Sequence, residues 1–293
     1  MTKPFICRQC PRECGVLRGE QMGACGVGPE PRLARIALHF DEEPCVSGTR
    51  GSGAAFFSGC ALGCAYCQNA PISHGGFGRE QSREQLRSAL ERLIAEGAHN
   101  VNLVNPTHYS HVLERVLEQP LGAPVVWNSS GYEKADTLKR FEGKVQIYLP
   151  DLKYVDEDGA RRYSNAPDYF SWASKALIEM HRQVGDPVLD EDGIIRGGLI
   201  VRHLILPGRA RQSMQALDWI AANLPGAYVS LMAQYVPFAR AGQMPEINRP
   251  ITRREYDRVV DHMLAIGLAE GYVQELSSSD ERYIPAFDLT GVE

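Results

Sequence analysis

The positions of the cysteines constrain this chain more than any other feature of its sequence. All eight lie within the first 67 of 293 residues, and none follows. Cysteines that only fill a hydrophobic core would be scattered along the chain, whereas clustered cysteines are typical of metal sites. The N-terminal sequence MTKPFICRQC has no apolar segment of the kind found in signal peptides. We therefore expect a cytoplasmic protein whose thiols stay reduced and bind metal.

Three of these cysteines form a closely spaced triad directly after an apolar run. Cys60, Cys64 and Cys67 have C-x3-C-x2-C spacing, and an aromatic residue, Tyr66, precedes the last of them. Thiolates are the usual ligands of iron–sulfur clusters, and three of them can hold three corners of a cubane while the fourth iron stays open. The spacing favours a catalytic [4Fe–4S] cluster, and the alternatives are a three-cysteine zinc site or a redox dithiol.

A second group of cysteines, the N-terminal quartet, has C-x2-C-x3-C-x10-C spacing. It consists of Cys7, Cys10, Cys14 and Cys25. Four ligands so close together, with little else to form a core, predict a small metal knuckle. Zinc and an auxiliary iron–sulfur cluster both suit four thiolates, so both stay open. Cys45 is left over; we interpret it as a buried free thiol, the alternative being a contact with substrate or with the quartet's metal.

From residue 53 onward, short apolar runs alternate with amphipathic runs. The apolar runs are 54–57, 101–104, 125–127, 145–149, 199–206 and 228–232, and the helix-like runs are 82–96, 110–118, 134–141, 170–184 and 214–223. This alternation predicts an α/β protein with six βα units in a partial (β/α)6 barrel, followed by a last helix at about 252–266. Residues 185–197 read as a hairpin-like insertion with an Asp192-Gly193 turn. We predict a Cys-rich N-terminal module and connector (1–50), the partial barrel (51–275) and a C-terminal tail packed on it (276–293).

Polar residues follow most of the predicted strands. They are Asn105, Thr107, Asn128, Ser130, Asp151, Lys153, Arg202, Gln234 and Tyr235. Active sites of βα barrels lie at the C-terminal ends of the strands, so these side chains are expected to form the rim of a site. Asn128 and Asp151 are also common turn formers, and Arg202 could instead pair with a structural carboxylate. His203 is expected to point away from Arg202 and to pack in the core.

Two further observations concern partners. Glu42 and Glu43, just before the first predicted strand, read either as substrate-binding carboxylates or as part of a solvated turn. The net charge of −5 and the pI near 5.9 lack the basic footprint of a nucleic-acid-binding protein. The sequence has no run of about 18 apolar residues that would span a membrane. Neither nucleic acid nor membrane is an expected partner.

The triad resembles the hallmark of the radical S-adenosylmethionine (SAM) superfamily, C-x3-C-x-aromatic-C. Over nearly the whole chain, from CRQCPRECGV through WNSSGY, YLPDLKY and VRHLILPG to INRPITRREY, the sequence is similar to the pyruvate formate-lyase-activating type of enzyme. The resemblance implies a partial barrel of the radical SAM type and reductive cleavage of SAM at the cluster, which gives a 5′-deoxyadenosyl radical for hydrogen abstraction. It also implies an electron donor such as flavodoxin or ferredoxin.

The same resemblance implies roles for the rim residues. Those expected around SAM are Asn128, Ser130, Asp151, Lys153 and Arg202, with Gln234 or Tyr235 near adenine and Asn105 and Thr107 at the methionine amino group. The family has a Gly-Gly-Glu type element after the second strand, whereas this chain has Asn-Pro-Thr, so the family's substrate does not follow. Activation of a glycyl-radical protein, modification of a small molecule or peptide, and non-catalytic iron–sulfur or zinc binding remain alternatives.

Overall fold

A ten-stranded sheet runs through the part of the chain that the computed structural model describes, residues 4–278 and 285–293. A separate hairpin pairs the first two strands. The strands, numbered in chain order, are β1 (Phe5–Ile6), β2 (Leu17–Arg18), β3 (Arg32–His39), β4 (Ser52–Phe57), β5 (Arg79–Glu80), β6 (Val101–Val104), β7 (Val125–Ser129), β8 (Ile147–Pro150), β9 (Val188–Leu189), β10 (Ile195–Leu204), β11 (Tyr228–Met232) and β12 (Gly271–Val273).

Helices occupy the connections between the strands. The α-helices are α1 (Pro44–Ser47), α2 (Ala70–Ser73), α3 (Arg83–Ala95), α4 (Ser110–Val116), α5 (Ala135–Leu138), α6 (Glu157–Ser164), α7 (Tyr169–Val184), α8 (Ala210–Asn223) and α9 (Arg253–Ala265). Short 3-10 helices span Thr107–Tyr109, Lys139–Phe141, Ala239–Gln243 and Leu276–Ser278. Local sequence sets two of the starts, because Ser82 with Gln85 and Thr252 with Glu255 form reciprocal capping boxes before α3 and α9. None of the described helices is long and apolar enough to cross a membrane.

The order of strands in the sheet shows how the chain winds. It is β12-β11-β10-β8-β7-β6-β4-β3-β5, with β9 paired to β10. All neighbouring pairs from β4 to β12 are parallel, and β3 adds to β4 in antiparallel orientation. Along the parallel strands from β4 to β12 spatial order follows chain order, so this part of the chain advances in one direction as in a βα barrel, whereas β5 pairs with β3 at the outer edge. No pairing joins the two edges within the described residues, and the barrel is therefore open.

The predicted α/β class with a large parallel sheet is confirmed, and the six predicted strands are present as β4, β6, β7, β8, β10 and β11, but the sheet has further strands that were not predicted. A seventh parallel strand, β12, pairs with β11. It has only three residues and none of them is buried, so it gives no apolar run in the sequence. Helix α6 was also missed, because its sequence EDGARRYS is mostly polar. The predicted hairpin is present as β9 and the start of β10. Strand β3, within the predicted connector, belongs to the large sheet, and the division into domains stays a prediction.

The C-terminal residues lie against the first strands of the sheet. The ring of Phe287 meets that of Phe56 edge to face at 5.7 Å between centroids. The backbone N–H of Leu289 donates to the carbonyl of Ala34 at 3.0 Å. Residues 279–284 of the predicted tail lie outside the described residues.

Alternation along β10 sends neighbouring side chains to opposite faces of the sheet. Arg202 faces the concave side, where it lines a cavity, and His203 faces the helices and is fully buried. The Nδ1 of His203 lies 2.5 Å from the carbonyl oxygen of Leu152, while its Nε2 has no hydrogen-bond partner among the described residues. Burial lowers the pKa of His203 to about 4. This is the packing histidine that the sequence predicts.

The depressed pKa of His203 predicts that acid weakens the fold. The unfolded chain takes up a proton below its normal pKa of about 6.5, but folded His203 does not until the pH nears 4, so stability falls across that window. At pH 5 this single histidine is expected to account for about 2 kcal/mol of the loss relative to pH 7. Anaerobic urea unfolding of the wild type and of His203→Gln at pH 5 and pH 7 measures this loss of stability. An equal pH dependence in the two proteins would contradict the assignment.

Candidate active site

A cavity of about 310 Å³ lies at the C-terminal edge of the parallel strands. The rim residues from the sequence that line it are Asn105, Asn128, Ser130, Asp151, Lys153, Arg202, Gln234 and Tyr235. The exception is Thr107, which is buried outside the cavity wall. The structure therefore gathers most of the predicted rim in one place, because parallel strands all end at the same edge of the sheet.

The three triad cysteines lie on the loop after β4 as free thiols that line the cavity. The sulfur of Cys60 accepts a backbone N–H from its own loop at 3.3 Å. The hydroxyl of Ser164 donates to the sulfur of Cys64 at 3.1 Å, and that of Ser73 donates to Cys67 at 3.2 Å. Donors of this kind stabilise negative charge on sulfur, as required of a thiolate that binds metal.

The donor chemistry of the triad is that of an iron–sulfur site. Burial raises the pKa of Cys67 to about 12 and also raises that of Cys64, so a bound metal has to displace their protons. In the described residues no three His, Cys, Asp or Glu side chains converge closely enough to hold one metal ion. A cubane needs no such convergence, because each thiolate binds a different iron. The donor set therefore fits a [4Fe–4S] cluster.

Gly59 holds the triad loop against the N-terminal module. Its φ of 83° is in the left-handed region, and a Cβ there would lie 2.7 Å from the carbonyl oxygen of Cys25. That carbonyl accepts the backbone N–H of Cys60 at 3.1 Å. Only glycine allows this approach. A backbone hydrogen bond thus links Cys25 of the quartet directly to Cys60 of the triad.

The environment of the N-terminal quartet contains a buried positive charge. Arg18 is 1% exposed, and its guanidinium lies 3.7 Å from the sulfur of Cys7 and donates to the carbonyls of Gly28 and His108. Among the described residues it forms no ion pair with a carboxylate. A buried cation needs a nearby counter-charge. A group of metal-bound thiolates would supply it, but within the described residues the sulfurs of the quartet, like those of the triad, do not converge closely enough to hold one metal ion, and the second metal centre stays a prediction.

The segment after β6 departs from what the resemblance implies. Asn105 has a φ of 60° and donates its side-chain amide to the carbonyl of Gly59 at 2.7 Å, which ties the strand end to the triad loop. The hydroxyl of Thr107 donates to Glu133 at 2.7 Å. The hydroxyl of Thr107 is therefore bonded to Glu133 outside the cavity wall, and it does not face a ligand in the cavity.

Glu133 is a buried carboxylate that the sequence analysis did not select. It accepts hydrogen bonds from Thr107, from the indole N–H of Trp127 at 2.8 Å and from the hydroxyl of Ser129 at 2.7 Å. Burial raises the pKa of Glu133, which the three donors partly offset. Its only signal in the sequence is a carboxylate four residues beyond a strand end. It fixes the loop that carries Ser130.

Replacing Glu133 with alanine is expected to lower the free energy of unfolding by about 2–3 kcal/mol, because three buried donors lose their acceptor. Glu133→Gln retains one side-chain carbonyl and is expected to cost less than half as much. Urea unfolding of both variants, followed by circular dichroism, provides the comparison. Equal losses for the two would show that the hydrogen bonds are not the cause.

Asp151 and Lys153 form an ion pair in the cavity wall, with the Lys153 Nζ 2.6 Å from a carboxylate oxygen of Asp151. Burial disfavours the charged amine, but the charges of Asp151 and of the nearby Cys64 hold the pKa of Lys153 above its usual range. Lys153 therefore remains a cation next to the triad, where it can offset the charge of metal-bound thiolates.

Arg202 shares its guanidinium between two buried carboxylates. It bonds both oxygens of Glu43, at 2.8 and 2.6 Å, and also an oxygen of Glu42. Burial opposes ionisation of Glu43, yet the Arg202 guanidinium holds its pKa below the usual range. The side chains of Glu42 and Glu43 are only 8% and 5% exposed, so the interpretation as a solvated turn is wrong. In the described part of the chain, the one contact of Arg202 Nη1 is a long hydrogen bond to the side-chain oxygen of Asn128, at 3.4 Å.

The last strand completes the cavity in a way the sequence did not predict. Tyr272 in β12 and Gln274 just after it both line the wall. The side-chain amide of Gln274 donates to Gln234 at 2.9 Å. Tyr235 donates its hydroxyl to a backbone carbonyl at 2.7 Å, and its ring lies 5.9 Å from that of Tyr66 in the triad loop.

Cys45 lies outside the cavity wall. It is a buried free thiol packed in a cluster with Val126 and Ile147 on the concave face. Burial raises its pKa to about 11, so it stays protonated. Its placement is that of the buried thiol expected from the sequence.

Comparison with known proteins finds one curated relative and several solved structures that are similar to this chain. No family model matches the chain. A curated relative, the uncharacterized protein MJ0674 of Methanocaldococcus jannaschii, is 29% identical over 280 residues, which cover 92% of this chain and 76% of the relative. Among solved structures, methylornithine synthase (PylB) aligns with a TM-score of 0.49 and 14% identity over 70% of this chain. The aligned part spans 59% of that synthase, less than two thirds of its length.

Proposed function

We propose that this chain is a radical SAM enzyme that binds a [4Fe–4S] cluster through Cys60, Cys64 and Cys67 and SAM in the adjoining cavity. One observation carries the proposal: three free thiols with C-x3-C-x2-C spacing line the same cavity as polar side chains from neighbouring strand ends. When bound, the reduced cluster would supply the electron that cleaves SAM to methionine and a 5′-deoxyadenosyl radical, which abstracts hydrogen from a substrate.

The residues of the chain would bind and orient SAM. Asp151 is proposed to accept hydrogen bonds from the ribose hydroxyls, and Asn128 and Ser130 to contact the same part of the molecule. Lys153 offsets the charge of the thiolates. The Nη1 group of Arg202 is the part of its guanidinium that can still donate to the carboxylate of SAM.

The adenine end is proposed to lie beside Gln234 and Tyr235. Asn105 reaches the cavity, so its carbonyl oxygen is the group we propose for the SAM ammonium; Thr107 acts only through Glu133. The absence of a carboxylate on this segment distinguishes the chain from the enzymes that it resembles.

Two buried tyrosines beside the triad, Tyr66 and Tyr154, are proposed to keep water away from it. The hydroxyls of Tyr66 and Tyr154 are 2.8 Å apart, and Tyr154 is 2.8 Å from the hydroxyl of Ser164, which in turn donates to Cys64. Each of these three hydroxyls has a hydrogen-bond partner within the protein. A dry environment protects a radical from side reactions.

The proposal has three finer parts. The quartet is proposed to hold a second metal centre, either zinc or an auxiliary iron–sulfur cluster, and the electron donor to be a flavodoxin or ferredoxin. Activation of a glycyl-radical enzyme is supported only by the sequence resemblance. An EPR doublet of a glycyl radical, formed when such an enzyme is mixed with the reduced protein and SAM, is its test.

The main proposal is tested by anaerobic reconstitution with iron and sulfide, followed by SAM and dithionite. We expect 5′-deoxyadenosine and methionine to form in equal amounts, measured by liquid chromatography, and none to form without reductant. A protein that carries its full iron content and yields no 5′-deoxyadenosine would favour a non-catalytic iron–sulfur protein.

A further inference from the structure

Two serine hydroxyls from outside the triad loop are hydrogen-bonded to sulfurs of the triad. Ser164, the last residue of α6, donates to Cys64 at 3.1 Å, and Ser73, the last residue of α2, donates to Cys67 at 3.2 Å. Cys60 instead accepts two backbone N–H groups of its own loop, at 3.3 and 3.5 Å. The two hydroxyl donors can therefore be removed by substitution without any change in the sequence of the triad loop.

Hydrogen bonds to the backbone hold Ser164 beside the triad. The backbone N–H of Ala65, in the triad loop, donates to the carbonyl of Tyr163 at 2.7 Å. The guanidinium of Arg12 donates to the carbonyl of Ser164 at 3.0 Å and to that of Ala61, also in the triad loop, at 2.8 Å. The last turn of α6 is thus tied to the triad loop, and the buried hydroxyl of Ser164 has a fixed position next to the sulfur.

A chain of hydroxyls directs the proton of Ser164 toward the sulfur. The hydroxyl oxygen of Tyr154 lies 2.8 Å from that of Ser164, and the hydroxyl oxygen of Tyr66 lies 2.8 Å from that of Tyr154. All three protons are used when Tyr66 donates to Tyr154, Tyr154 donates to Ser164, and Ser164 donates to the sulfur of Cys64. Each hydrogen bond in such a chain strengthens the next. Ser164 is therefore a stronger donor to the sulfur than an isolated hydroxyl would be.

We propose that Ser164 and Ser73 are positioning residues that raise the reduction potential of the cluster bound to the triad, and so set how readily it accepts an electron. Reduction adds one negative charge, supplied by the external electron donor, and hydrogen bonds to the thiolate sulfurs stabilise that added charge. Loss of either hydroxyl would make the cluster harder to reduce. The inference rests on the proposed function, since it concerns the cluster that this function requires.

Redox titration of the anaerobically reconstituted protein without SAM, followed by EPR, tests this. The signal that is absent from Cys64→Ala identifies the cluster of the triad. In Ser164→Ala we expect the ratio of reduced to oxidised cluster at a fixed potential to fall about 10-fold, a shift of about −59 mV for one electron. A similar shift is expected for Ser73→Ala. The midpoint potential does not depend on how many chains carry a cluster, so partial loss of iron cannot mimic the effect.

Two further variants are the controls. Ser52 is buried at the start of β4, at the opposite end of that strand from the triad, and its hydroxyl donates to Asn100 at 2.6 Å. Ser52→Ala removes a buried hydrogen bond that involves no triad sulfur, so the ratio of reduced to oxidised cluster should stay within about 2-fold of the wild type. Ser73→Thr retains a hydroxyl and should do the same. An unchanged or raised potential in Ser164→Ala or Ser73→Ala, or an equal fall in Ser52→Ala, would overturn the proposal.

Formation of 5′-deoxyadenosine by the wild type, measured in the same preparation, distinguishes this inference from the proposed function. SAM cleavage with unshifted potentials in the serine variants would overturn only the inference. Shifted potentials in a protein that never cleaves SAM would overturn the proposed function and support the role of the serines. A reconstituted wild type that holds no cluster at the triad would overturn both.

Discussion

Replacement of Cys64 by alanine is expected to abolish SAM cleavage, with a loss of about 10³-fold or more in 5′-deoxyadenosine formation. The reason is that a cubane held at three corners cannot keep its open iron when one thiolate is removed. The same result is expected for Cys60→Ala and Cys67→Ala. Product yield and the iron and sulfide content of each purified variant are the measurements.

The matched control is Cys45→Ala, which removes a buried thiol outside the cavity and should retain the cluster and the activity. The metal that remains in the triple triad variant then reports on the quartet: about one zinc indicates a structural knuckle, and about four irons with sulfide a second cluster. Retained SAM cleavage in any single triad variant would refute the assignment of the triad.

Replacement of Arg202 by methionine is expected to lower the free energy of unfolding by about 3–5 kcal/mol, because Glu42 and Glu43 would remain buried without their shared cation. Among the described residues, Arg202 is the only basic side chain that forms an ion pair with Glu42 or Glu43. The lowered pKa of Glu43 has the same cause, since the guanidinium stabilises its ionised form against the effect of burial. Urea unfolding near neutral pH provides the measurement.

A compensating variant distinguishes the effect of unpaired charge on stability from the effect of lost side-chain packing. In Arg202→Met combined with Glu42→Gln and Glu43→Gln, no buried charge is left unpaired, and most of the lost stability should return. Arg253→Met on α9 is the control, because that arginine is 72% exposed and its contact with Asp257 is 3.9 Å long; it should change stability by less than about 0.5 kcal/mol. A single Arg202 variant as stable as this control would show that the buried pair contributes nothing.

Much of the fold could be predicted because its signals are local. Apolar runs gave six of the parallel strands near their observed positions, and the capping box at Ser82 set the start of α3. The two elements that were missed have weak local signals. Strand β12 is short and half exposed, so only its pairing with β11 makes it a strand. Helix α6 has few apolar residues, and the N-cap carboxylate of Asp156, which accepts the backbone N–H of Gly159, identifies the helix better than its periodicity does.

The candidate site likewise has features that could be predicted from the sequence and features that could not. The order of polar residues after successive strands was sufficient to predict a shared rim, because parallel strands end at one edge of the sheet. The partners of those residues could not be predicted. Arg202 is bonded to carboxylates about 160 positions away, and Thr107 to Glu133 across a loop. Such pairs depend on which surfaces the folded chain brings together, and no periodic pattern records them.

By itself the sequence determined the spacing of the triad cysteines and the alternation of strands and helices, because ligand spacing and hydrophobic period act over a few residues. The tertiary structure decided what surrounds the triad. It placed the carbonyl of Cys25 on the backbone of Cys60, and it left Glu42 in the cavity wall with only part of a counter-charge. Burial and pairing of charges depend on contacts between distant segments, and these exist only once the barrel has formed.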